Sequence, residues 1–142
     1  LQPARETVFF QCAANRASIP ILMQLYDELF RSEALAAIFS GEETLQSVLL
    51  FEAALARAQS SVGIIPAESA RLIAAKCHAN LFDAHDLAHR AASAGNLAIP
   101  LVKKLTELVA GESQDAAGFV HYGATSQDAI DTAAVLQFRR AL

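Results

Sequence analysis

Apolar positions recur every three to four residues along most of this chain, in segments divided by proline and glycine. That spacing marks helices that bury one face. The clearest case spans residues 40–62, where Leu45, Val48, Leu49, Glu52, Leu55, Ala56, Gln59 and Val62 fall on one side. Ser40 followed by Glu43 is a capping-box pattern at its start, and Gly63 is a stop at its end. Glu52 and Gln59 interrupt the apolar face; polar residues in such places usually find partners within a core or an interface. A shorter helix over 32–39 is expected to precede it.

Beyond Gly63, Ile64 and Ile65 lead in extended form to a helix running to Ala79, with Pro66 near its first position, where a missing N–H costs nothing. Asp83 caps a helix to Ala94, stopped by Gly95. Pro100 starts the next, whose Leu101, Leu105, Leu108 and Val109 share a face before Gly111 ends it. The closing helix buries Ile130, Ala133, Ala134, Phe138 and, in part, Leu136. Only residues 119–122 suggest a short extended stretch, and no segment alternates long enough for a strand. The expected fold class is all-α. Abundant alanine supports it and permits close helix packing.

A length of 142 residues fits one domain, or a piece of one. The 54% apolar content and mean hydropathy of +0.30 are high, yet no uninterrupted apolar run is long enough to span a bilayer. Excess apolar surface on amphipathic helices points instead to burial against other chains, hence self-association, or against a missing remainder of the chain. The net charge of -4 and the lack of a Lys/Arg cluster argue against nucleic acid. Cys12 and Cys77 stand far apart with no CxxC pair, which suits reduced thiols in a cytoplasmic protein. Residues 1–22 lack a secretory pattern and precede the single methionine, Met23; they are expected to be an upstream extension or expression remnant, with the domain over 23–142.

His85 and His89 sit four apart on one helix with Asp86 between them, which could turn both imidazoles toward a metal. The string lacks the glutamate of HExxH and a third ligand cluster, so a solvated helix face is the better reading and no metal or cofactor is expected. The start of the closing helix is richer. Its first turn leaves backbone N–H groups without helical partners, at the positive end of the helix dipole. Gly123 permits close approach, and Thr125 and Ser126 add hydroxyl donors, making a socket for a carboxylate. Thr125 or Ser126 as a plain N-cap, with Asp128 satisfying the first turn, uses the same groups, and the residues alone leave both readings open.

HYGATSQDAIDT at 121–132 resembles the first signature region of the fumarase/aspartase superfamily, and within it the lactonizing cycloisomerase branch. The similarity runs back through AGNLAIPLVKKL at 94–105, FEAALARAQSSVGIIP at 51–66 and LYDELFRSEALAAIFS at 25–40, covering about 23–142. The resemblance implies that Thr125 and Ser126 contact a substrate carboxylate, with Asp128 and His121 shaping or lining that site. It implies a catalytic serine on a mobile loop in a later signature region, so that no catalytic residue lies in this chain. It also implies a homotetramer whose active sites each draw on three subunits. Residues 128–142 then look like the beginning of a central-bundle helix, cut short, and the chain alone is expected to be inactive.

The reaction implied is addition of a carboxylate to a double bond within a muconate tricarboxylate, closing a lactone in aromatic-compound degradation without a cofactor. An adenylosuccinate lyase-like enzyme is the nearest rival. Its members carry an Arg-Tyr pair where this chain has Leu25 and Tyr26, and a His-Asp pair where this chain reads AGNLAIP, which weakens a nucleotide substrate. A non-catalytic helical interaction module, with TSQD only a cap, is the rival from another class.

Overall fold

Seven α-helices and one 3-10 turn account for the regular structure of the computed structural model, which describes residues 31–142 and contains no strand among them. The expected boundary at 22/23, Cys12, and the Leu25 and Tyr26 positions lie outside the described residues. The helices are α1 (Glu33–Ile38), α2 (Gly41–Ser61), α3 (Ala67–Lys76), α4 (Ala84–Ala94), α5 (Ala98–Ala110), α6 (Gln114–Ala117) and α7 (Ser126–Ala141), with the 3-10 turn at Ala79–Leu81. The class is all-α, as the periodicity requires. Among the described residues no helix is long and apolar enough to cross a membrane.

α2 is the axle. It packs against α3 on one side and α7 on another, so its buried band is wider than a single stripe and takes in Ser47 and Ala53 beside Leu45, Val48, Leu49, Glu52 and Ala56. Val62, expected on that face, is exposed because it lies past the end of the helix. Ser40 caps α2 by accepting from the Glu43 amide at 3.2 Å. The return half of the capping box is replaced by an ion pair between Glu43 and Arg140, which ties the start of α2 to the end of α7.

α3 stops three residues before the expected Ala79. Gln46 of α2 explains the stop: its Nε2 donates to the Cys77 carbonyl at 3.2 Å and its Oε1 accepts from the Ala79 amide at 2.9 Å, so the chain bends into the 3-10 turn. Gln46→Ala leaves both backbone groups without these partners and is expected to lower the unfolding free energy by about 1–3 kcal/mol, read by urea denaturation. Cys77 donates to the Ile73 carbonyl, and burial pushes its thiol up to about 12, as expected of an inert core cysteine.

α4 runs as expected from the Asp83 cap to Gly95, whose φ of 82° is the left-handed value that favours glycine. α5 begins at Ala98 rather than Pro100, because Asn96 Oδ1 accepts from the Ile99 amide and Pro100 fits within the first turn, where no helical N–H partner is needed. Leu101, Leu105 and Val109 of α5 are fully buried, and Leu108 is half-buried. The short α6, capped by Ser113, follows. Residues 119–122 are not extended: the amides of Gly118, Phe119 and Val120 fold back onto the carbonyls of Asp115, Ala116 and Ala117, forming turns. On α7 the buried line is Ala129, Ala133 and Gln137, and the two small alanines let α7 approach α2 closely. Gln137 donates to the Ile38 carbonyl and Thr44 Oγ1, while Phe138, expected inside, is exposed and meets Phe39 edge-on at 5.4 Å.

Candidate functional site

The turn leading into α7 holds two left-handed residues in three, His121 at φ 57° and Gly123 at φ 70°. Glycine adopts this conformation freely, but a histidine there costs about 1–3 kcal/mol and persists only when its surroundings enforce it. The enforcement comes from α2. Glu52 Oε1 lies 2.6 Å from His121 Nδ1, and Gln59 Nε2 donates to the Tyr122 carbonyl at 2.6 Å. Phe51 meets the His121 ring edge-on at 6.4 Å.

At the start of α7, Thr125 is the N-cap and Asp128 closes a reciprocal capping box. The Thr125 amide and hydroxyl both donate to Asp128 Oδ2 at 2.8 Å, and the Asp128 amide donates back to Thr125 Oγ1 at 3.3 Å. Thr125 is thus committed to its own chain. The Ser126 hydroxyl and the amides of Ser126 and Gln127 have no hydrogen-bond partner among the described residues. A Cβ added at Gly123 would meet nothing within 4 Å, so the approach beside them is open.

The Thr125 amide, then its hydroxyl, holds the Asp128 carboxyl below the usual aspartate range, and the nearby His121 adds to this. Asp128 therefore strengthens the helix start above the ordinary aspartate range, and the contribution is lost as pH falls through the depressed value. Glu52 behaves oppositely. Burial pushes its carboxyl up, His121 draws it part of the way back, and Oε2 has no partner. Ionising Glu52 as pH rises through that raised value works against the fold.

His121, Thr125, Ser126 and Asp128 are thus gathered in one turn and the helix start that follows it. Its free donors suit a carboxylate, which would bind the Ser126 hydroxyl and the Ser126 and Gln127 amides, because Asp128 already takes those of Thr125. His85 and His89 are not part of this: they lie exposed on α4, and Asp86 between them pairs with Arg90 at 2.8 Å. No group of three or more His, Cys, Asp or Glu side chains placed to hold a metal occurs among the described residues. Sequence reasoning did not assign Glu52 and Gln59 to this turn; the available signal was two polar residues, seven apart, on an apolar face.

A family model described as Lyase matches residues 27–142. The 3-carboxy-cis,cis-muconate cycloisomerase of Pseudomonas aeruginosa is 50% identical over 119 residues, covering 84% of this chain and 26% of that protein. The enzyme of the same name from Bradyrhizobium diazoefficiens is 49% identical over 121 residues, covering 85% of this chain and 27% of that one. Among solved structures, the 3-carboxy-cis,cis-muconate lactonizing enzyme from Pseudomonas putida superposes with a TM-score of 0.78 at 49% identity, covering 83% of this chain and 27% of that one. The chain spans about a quarter of the length of the curated relatives it matches.

Proposed function

Because this chain belongs to the fumarase/aspartase superfamily of lyases, we propose that it supplies the first carboxylate-binding segment of a 3-carboxy-cis,cis-muconate cycloisomerase. The observation that carries this reading is the set of free donors at the start of α7: the Ser126 hydroxyl beside the Ser126 and Gln127 amides, near Gly123, where a Cβ would meet nothing within 4 Å. In lactonisation one substrate carboxylate adds to a double bond, and charge builds on the carboxylate next to the carbon that gains or loses a proton. Donors fixed around that second carboxylate stabilise the transition state more than the ground state. Thr125 and Asp128 hold the helix start that presents them, and His121 lines the turn. The catalytic serine belongs to another segment, and no cofactor is required.

In this reading residues 23–142 form the domain, residues 1–22 are apart from it, and complete sites need further subunits of a homotetramer. Val135 and Phe138, exposed on α7, suit such an interface. The capping box at Thr125 and Asp128 is the one observation favouring a non-catalytic helical module instead. A chimera decides between them. With residues 27–142 replacing the matching quarter of the Pseudomonas putida enzyme, loss of 3-carboxy-cis,cis-muconate absorbance should proceed at a rate comparable to the parent. A folded, tetrameric chimera without turnover would sink the enzymatic reading.

A further inference from the structure

We infer that Glu52 and Gln59 are the positioning residues of this site: Glu52 fixes the His121 imidazole with its proton on Nδ1, Gln59 fixes the Tyr122 carbonyl, and together they hold the donor-bearing turn in its strained form. The inference rests on reading the start of α7 as a carboxylate site. Seven residues apart on a helix is two turns along one face, so the two side chains reach the same neighbouring segment. Each makes one short bond, at 2.6 Å, to adjacent residues of the turn, of which His121 is itself left-handed and Tyr122 precedes the left-handed Gly123.

Packing alone does not account for a carboxylate here. Glu52 is 1% exposed, and one of its oxygens has no partner. An apolar side chain of similar volume would fill the same space at no desolvation cost, and replacing a whole buried ion pair by apolar residues is often neutral or stabilising, so packing alone does not call for this pair. What an apolar side chain cannot do is accept a hydrogen bond from a ring nitrogen. A bond between Glu52 Oε1 and His121 Nδ1 turns Nε2 to the opposite side of the ring. The link from the core to the donor-bearing turn therefore runs from Glu52 to His121, four residues before the Thr125 cap. Gln59 secures the residue between His121 and Gly123. Its own buried Oε1 has no partner, so it too is set by the turn rather than by the core.

The test uses nitrogen-15 NMR on the 142-residue chain with citrate as the carboxylate probe. Wild type should show His121 with a protonated Nδ1. Glu52→Gln, whose amide oxygen still accepts, should keep that signature. Glu52→Leu, which removes the acceptor but preserves volume, should remain folded, lose the Nδ1–H signature, move the amides of 121–127, and weaken citrate binding by about tenfold. Gln59→Leu should move the amides of 122–127 while leaving the His121 tautomer intact. A wild-type proton on Nε2, or wild-type turn shifts and tautomer in a folded Glu52→Leu chain, overturns the inference. Citrate leaving the wild-type amides of 123–128 unmoved refutes the carboxylate reading instead, and the tautomer comparison still decides the role of Glu52.

Discussion

Ser126→Ala, introduced into the active chimera, is expected to lower kcat by about one to three powers of ten, the range seen when a preset donor to developing negative charge is removed. The unfolding free energy should move by less than about 0.5 kcal/mol, as for a surface substitution that breaks no internal contact. The Ser126 hydroxyl has no hydrogen bond to its own chain, so its loss breaks nothing in the fold. kcat/KM should fall at least as far as kcat, the pattern of a donor that binds the substrate carboxylate and strengthens in the transition state. Thr125→Ala separates the two roles of the segment. Its hydroxyl caps α7 and donates to Asp128, so this change should cost about 1 kcal/mol of stability as well as activity. Thr125→Ser should restore the stability. Unchanged kinetics in Ser126→Ala would remove the substrate contact from this segment.

What could be read directly from the sequence was local. Asp83 and Gly95 bound α4 as expected because a cap and a left-handed stop act on their own helix. Ser40 worked in the same way at the start of α2. The errors arose wherever a distant residue decides. α3 ends early because Gln46, more than thirty residues away, takes the carbonyl of Cys77 just past its end. Glu43 leaves its capping box for Arg140, on a helix that the pattern around Ser40 does not reveal. Phe138 lies outside and Gln137 inside because α7 docks through its alanines, which a pattern weighted toward large apolar residues misses. The candidate site divides in the same way. Thr125, Ser126 and Asp128 stand out as a motif, but their division into a closed pair and an open donor is set by the hydrogen bonds of the folded turn. Glu52 and Gln59 stood out only as misfits until the turn they hold was in place.

Leu101→Ala should produce the largest loss of stability, about 3–5 kcal/mol, because it deletes a wholly enclosed side chain and leaves a cavity that its neighbours can only partly fill. Leu101 has no exposed surface and lies on α5, which packs against α3, α4, α6 and α7. Small domains hold only about 5–15 kcal/mol in total, so this single change removes a substantial part of the margin. Leu101→Met, which nearly conserves volume, should cost less than about 1.5 kcal/mol. Leu50→Ala provides the contrast: Leu50 is on α2 but half exposed, and its truncation should stay within about 0.5 kcal/mol. Urea unfolding of the three variants at an unchanged m-value measures the differences. A Leu101→Ala loss no greater than that of Leu50→Ala would mean that α5 does not hold these helices together. The 121–127 turn would then depend on α2 alone, through Glu52 and Gln59.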